Sequence, residues 1–282
     1  MQANDFGPLV STAWLAEHLG DGNVKVLDGS FYLPAEQRDA QAEYAAAHIP
    51  GAMFFDIDEI SDHSSSLPHM FPDEASFAAA VGAMGIGNGD RVVCYDGGKM
   101  TGAGRVWWML RAFGHADVAI LDGGMVKWRA EGRPTEAATP TPAAARFVAR
   151  YDPAMVRSRE QVLAIIEAGD RQILDARSAG RFTGRDAEPR AGMRSGHMPG
   201  ALNLPYTDLL AGDGTLLPET ELRAAFATAG LDMQRPVVTS CGSGVSATVL
   251  LLALHVLGHD NISLYDGSWS EWGGRDDTPV VT

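Results

Sequence analysis

The sequence predicts an α/β protein made of two tandem copies of one domain, each a mainly parallel sheet with helices on both faces. Three observations predict it. The same series of short motifs occurs twice in the same order, with nearly the same spacing. Within each copy, short Val/Ile/Leu-rich strands alternate with helical segments, the pattern of parallel sheets covered by helices. A stretch rich in Pro, Ala and Thr, EGRPTEAATPTPAAARF, separates the copies and reads as a linker.

The elements pair in order. LVSTAWLAEHLGDGNVKVLDGS and VRSREQVLAIIEAGDRQILDARS each read as a short helix, a polar turn and an apolar strand ending at an aspartate, Asp28 or Asp175. His-x-Pro-Gly-Ala follows, starting at His48 after 20 residues and at His197 after 22. Next come a helix and a Gly-rich turn, AAAVGAMGIGNGD or LRAAFATAGLDMQ, and then a strand, RVVCYDGG or RPVVTSCGSG. An apolar helix follows, GRVWWMLRAFGH or SATVLLLALHVLGH, and last a strand running into a Trp turn, VAILDGGMVKW or ISLYDGSWSEW. Asp96 precedes Trp128 by 32 residues and Cys241 precedes Trp272 by 31. The expected boundaries are 1–135 for the first domain, 136–152 for the linker and 153–282 for the second. Residues present in both copies, His48 with His197 and Trp128 with Trp272, are expected to serve the turn and the core rather than chemistry.

Composition narrows the function. The 282 residues carry 22 Lys+Arg against 36 Asp+Glu, a net charge of -14 that argues against nucleic-acid binding, which needs a basic face. Two cysteines exclude a disulfide scaffold and a Cys-rich zinc site. No HExxH, calcium-loop or Cys/His ligand spacing occurs, so no metal and no cofactor are expected. The N-terminal residues lack a basic segment followed by an apolar run, and no apolar stretch approaches the ~18 residues of a membrane span. The expectation is a soluble cytoplasmic protein with no membrane partner.

In open α/β sheets, sites form beyond the carboxyl ends of strands. In the second copy the strand ending at Ser240 runs straight into Cys241-Gly242-Ser243-Gly244-Val245-Ser246-Ala247 and an apolar helix. Such a loop can turn several N–H groups inward as an anion cradle, aided by the helix dipole. That field favours the thiolate of Cys241. Cys94, inside the apolar strand VVCY, reads instead as core. Three chemistries compete for the loop. Gly242 to Ala247 fits the dinucleotide pattern G-x-G-x-x-A, with Asp266 about twenty residues on, but only 282 − 266 = 16 residues follow, too few to complete that domain. A cysteine phosphatase needs Cys-x5-Arg, and the sixth position after Cys241 is Ala247. A sulfur carrier needs the cradle and no arginine there. The first copy has Asp96 in place of Cys241 and is expected to be catalytically inactive. A further cationic segment, GRFTGRDAEPRAGMRSG, carries Arg181, Arg185, Arg190 and Arg194, whose forks suit a carboxylate. Spacing alone does not choose among the four.

HIPGAMFFDID, RVWWMLRAFGH, GRFTGRDAEPR, GHMPGALNLP and CGSGVSA resemble the 3-mercaptopyruvate sulfurtransferases, a family with two tandem rhodanese-like domains. The resemblance spans nearly the whole chain; the family loop usually has Thr where this chain has Ser246. It implies sulfur transfer from 3-mercaptopyruvate through a persulfide on Cys241 to a thiol acceptor, such as reduced thioredoxin, or to cyanide, with release of pyruvate. It further implies that Arg181 and Arg190 hold the substrate, and that Gly242, Gly244, Val245 and Ser246 line the cradle. A proton relay is implied for Ser243, His69 and Asp58. The nearest alternatives are a thiosulfate:cyanide sulfurtransferase and a persulfide carrier that does not turn over.

Overall fold

The structure is a computed structural model that describes residues 6–33, 36–138 and 140–282. Thr139, within the expected linker, lies outside the described residues. The described residues form two compact units, which exchange short stretches of sequence: residues 63–70 belong to the second unit and 211–216 to the first, with the main division after Asp152.

The first unit is built on a five-stranded, fully parallel sheet. Its strands are β1 (Leu9–Val10), β2 (Val24–Asp28), β3 (Met53–Phe54), β4 (Arg91–Tyr95) and β5 (Val118–Leu121), ordered β1-β5-β4-β2-β3. Alternate strand residues point to opposite faces. Val24, Val26, Val93, Tyr95, Ala119 and Leu121 bury one face together with Leu15 of α1 (Thr12–His18) and Trp128 of α5 (Gly124–Ala130). On the other face Leu27, Val92, Cys94 and Ile120 are fully buried, and α4 (Thr101–Ala112) packs on β4 and β5. Helices α2 (Ala40–Ala46) and α3 (Glu74–Ala83) complete the unit; aspartates Asp39 and Asp73 cap them by accepting N–H bonds.

The second unit repeats the design. Strands β6 (Val156–Arg157), β7 (Gln172–Asp175), β8 (Leu202–Asn203), β9 (Val237–Ser240) and β10 (Ile262–Tyr265) are all parallel, in the order β6-β10-β9-β7-β8. Helix α6 (Arg159–Ala168) opens on a complete capping box between Ser158 and Gln161 and closes on Gly169 at φ 63°. Around the sheet lie α7 (Ala179–Phe182), α8 (Glu219–Thr228), α9 (Ala247–Val256) and α10 (Ser268–Trp272). Residues 247–254 of α9 are all buried, so its almost wholly apolar sequence, broken there by Thr248 alone, follows from burial all round.

The shared residues hold matching local structure. His48 Nδ1 bonds the carbonyl of Tyr44 at 2.8 Å, and His197 Nδ1 that of Phe182 at 2.9 Å. Trp128 Nε1 donates to Pro134 O and Trp272 Nε1 to Pro279 O, and both rings are fully buried. These four residues fix turns and core. Residues 145–152 run along the first unit, with Ala145 N donating to Gly82 O and Arg150 N to Phe113 O.

Candidate active site

The loop after β9 is pinned from below by the start of α10. Cys241 N donates to Ser268 Oγ at 3.1 Å, Trp269 N donates to Cys241 O, and both Ser270 N and Ser270 Oγ donate to Gly242 O. Ser268 holds φ 48°, a region that side chains rarely occupy, where the first unit has Gly124 at φ 53°. The serine hydroxyl there ties the loop backbone to the carbonyl of Tyr265. Cys241, Ser243 and Val245 are buried, Gly244 turns the loop at φ 74°, and Ser246 is half-buried at the start of α9. Thr248 Oγ1 closes the helix start on Val245 O.

Two of the four candidate arginines reach this loop. A Cβ placed on Gly242 would stand 3.2 Å from Arg181 Nη2 and 3.9 Å from Arg190 Nη1. Glycine at 242 therefore leaves the space that the guanidinium groups use. Arg194 is committed elsewhere, to the carbonyls of Trp272, Gly273 and Thr278, and Arg185 bonds Thr183 in an exposed turn. Arg190 Nη2 also lies 3.4 Å from Nε2 of His69, a buried residue at φ 61°. A guanidinium only donates, so this bond needs Nε2 as acceptor and the ring proton on Nδ1. Asp58 is exposed and lies in the first unit, with its N–H on Asp56 and its carbonyl accepting from Ser61.

Behind Arg181 stands a set of charges that spacing did not single out. Glu188, its side chain 4% exposed, accepts from Arg181 Nε and Nη2 at 3.2 and 2.5 Å and from Arg177 Nη1 at 2.8 Å. Arg177 in turn forms a fully buried pair with Asp175, lies over the Trp269 ring and donates to Gly196 O. The strand-end aspartate of the repeat thus carries the arginine that supports the loop. The segment between the arginines carries two acidic residues, Asp186 and Glu188, and spacing did not tell which of them pairs with Arg181.

The first unit shows what such a loop binds. The carboxylate of Asp96 accepts N–H bonds from Gly98, Lys99, Met100, Gly102 and Ala103, at 2.8 to 3.2 Å. One copy of the cradle is therefore filled by its own anion. The corresponding loop of the second unit starts at Cys241 and is one residue closer to the Gly-His that ends its helix. Cys94 is fully buried in β4, and burial pushes its thiol far above the usual range. Both cysteines are free thiols.

A family model for the rhodanese-like domain matches residues 11–131 and again 158–275. The chain belongs to the rhodanese-like domain family. This rhodanese-like chain is 43% identical over 272 residues to the 3-mercaptopyruvate sulfurtransferase of Escherichia coli K12, covering 96% of each. It is 42% identical over 274 residues to the thiosulfate sulfurtransferase of Bos taurus, covering 95% of this chain and 92% of the relative. The crystal structure of SseA from Escherichia coli superposes with a TM-score of 0.86 at 41% identity, over 93% of this chain and 98% of that one. Each matched span contains four of the five strands of one parallel sheet, all but the edge strand β1 or β6, so this is a tandem rhodanese-like protein of α/β class.

Proposed function

We propose that the protein is a 3-mercaptopyruvate sulfurtransferase. The observation that carries this reading is the composition of the loop edge. Gly242 and Ser243 are neutral, and the cations that face Gly242, Arg181 and Arg190, come from outside the loop. A carboxylate-bearing donor fits forks held at that distance, whereas a compact dianion favours cations on the loop itself. Relatives named for either donor are about equally identical to this chain, so overall similarity does not choose between donors and the site must.

In this reading the Cys241 thiolate attacks the donor sulfur. The S–S bond forms as the C–S bond breaks, and the electron pair goes to the methylene carbon of the leaving enolate. The proton from the donor thiol ends on that carbon, giving pyruvate and a Cys241 persulfide anion. Loop N–H groups stabilise the anionic sulfur, as the five N–H groups around Asp96 hold its carboxylate. An acceptor thiol such as a reduced thioredoxin, or cyanide, then takes the outer sulfur and returns the thiolate. We assign the proton path to Ser243, His69 and Asp58; the burial of Ser243 and His69 and the bond of His69 to Arg190 support the first two. The first unit is assigned no turnover, since Asp96 fills its cradle. Among the described residues no helix is long and apolar enough to cross a membrane, and we assign the enzyme to the cytoplasm.

The test compares pyruvate release from 3-mercaptopyruvate with thiocyanate formation from thiosulfate, for wild type and Cys241→Ser. A higher kcat/KM with 3-mercaptopyruvate, lost in Cys241→Ser, is expected. A clear preference for thiosulfate would assign the alternative donor, and labelling without turnover would leave a persulfide carrier.

A further inference from the structure

We propose that Glu188 sets the charge of the donor the enzyme prefers, by neutralising Arg181 behind the active loop. The inference rests on the sulfurtransferase reading above and deepens it. Glu188 takes both Nε and Nη2 of Arg181, leaving the edge formed by Nη1 and Nη2 turned toward Gly242. The carboxylate is thereby shared between Arg181 and Arg177, while Arg177 also pairs with Asp175. These four groups, Asp175, Arg177, Glu188 and Arg181, sum to zero charge. Arg181 is oriented as a hydrogen-bond fork, with its long-range field offset by a carboxylate that is almost fully buried. Burial matters because water screens such a charge little.

This arrangement discriminates by charge. A monoanionic α-keto carboxylate gains the directional bonds of the fork and needs little net positive field. A dianion such as thiosulfate depends on that field, and each unit of charge withheld costs it twice what it costs a monoanion. The first unit carries a related pair beside Gly97, the counterpart of Gly242: Arg38 bonds Glu43 through Nε and Nη2, and a Cβ on Gly97 would meet Arg38 Nη2 at 3.1 Å. There the side chains of the pair are well exposed, at 37% and 39%, beside a cradle already filled by Asp96. Only in the second unit is the carboxylate buried, where its charge carries to a ligand.

The test is Glu188→Gln, which keeps the shape and an acceptor oxygen but raises the four-group charge by one. The kcat/KM ratio of thiosulfate to 3-mercaptopyruvate should rise roughly tenfold or more, through a lower KM for thiosulfate. Glu188→Asp keeps the charge with poorer geometry; both KM values should rise while the ratio stays near that of wild type. A ratio unchanged in Glu188→Gln, or shifted equally in Glu188→Asp, would overturn the proposal. Should Glu188→Gln not fold, Glu188→Asp decides alone by the same ratio. Sulfate against pyruvate binding to Cys241→Ser and to its Glu188→Gln double variant gives a readout free of turnover, in which sulfate should gain on pyruvate. The wild-type donor preference tests the parent reading; the change in the ratio tests Glu188, so the two fail separately.

Discussion

Two cysteines of one sequence meet opposite environments. Cys94 is fully buried in β4 between Leu27 and Ile120 of the flanking strands, with a thiol driven upward by burial, whereas Cys241 opens the loop that leads into a helix start. Treatment of the native enzyme with 3-mercaptopyruvate should therefore add sulfur to one cysteine, mapped to Cys241 by mass spectrometry, and leave Cys94 unmodified. Asp96 is the other informative residue. Asp96→Ala removes the acceptor of five N–H groups, three of them from positions that are buried, and should destabilise the first unit by about 3 kcal/mol in urea unfolding. Cys241 and Asp96 were both legible as a contrast between copies. What the aspartate does was not, because a carboxylate collecting N–H bonds from residues two to seven places ahead depends on the path of the loop.

At the scale of elements, the two copies differ in how closely helix and strand approach. A Cβ on Gly102 of α4 would stand 1.9 Å from Gly29 O, a backbone atom, whereas the second unit carries Ala176 where the first has Gly29. Gly102→Ala should cost about 3 kcal/mol or more and show as a large drop in Tm, while removing the cap of α6 with Ser158→Ala should cost about 1 kcal/mol. The periodicity that predicts strands and helices is a property of neighbours in sequence, so these elements and their order could be read from the chain. The Gly29–Gly102 approach joins residues 73 positions apart (102 − 29) and left no local signal.

For the molecule as a whole, a net charge of -14 faces an anionic donor. In the proposed reading Arg181 and Arg190, which face Gly242, hold the donor at contact range, inside the Debye length of about 8 Å at physiological salt, while most acidic groups are screened. Raising ionic strength above that level should lower kcat/KM for 3-mercaptopyruvate with little change in kcat, the sign set by local attraction rather than by the total charge. A steady rise in kcat/KM would show that the total charge dominates.

The sequence by itself determined the duplication and the α/β class, and it singled out Cys241 as the candidate nucleophile and the segment that carries the candidate arginines, because each is written in periodicity, repeat spacing or the chemistry of a short loop. The tertiary structure decided which arginines face Gly242 and committed Arg194 to carbonyls near the C-terminus instead. It also set Glu188 and Arg177 behind them and filled the loop of the first unit with the Asp96 carboxylate. These outcomes depend on where side chains meet after the loops close, and no spacing along the chain encodes that distance.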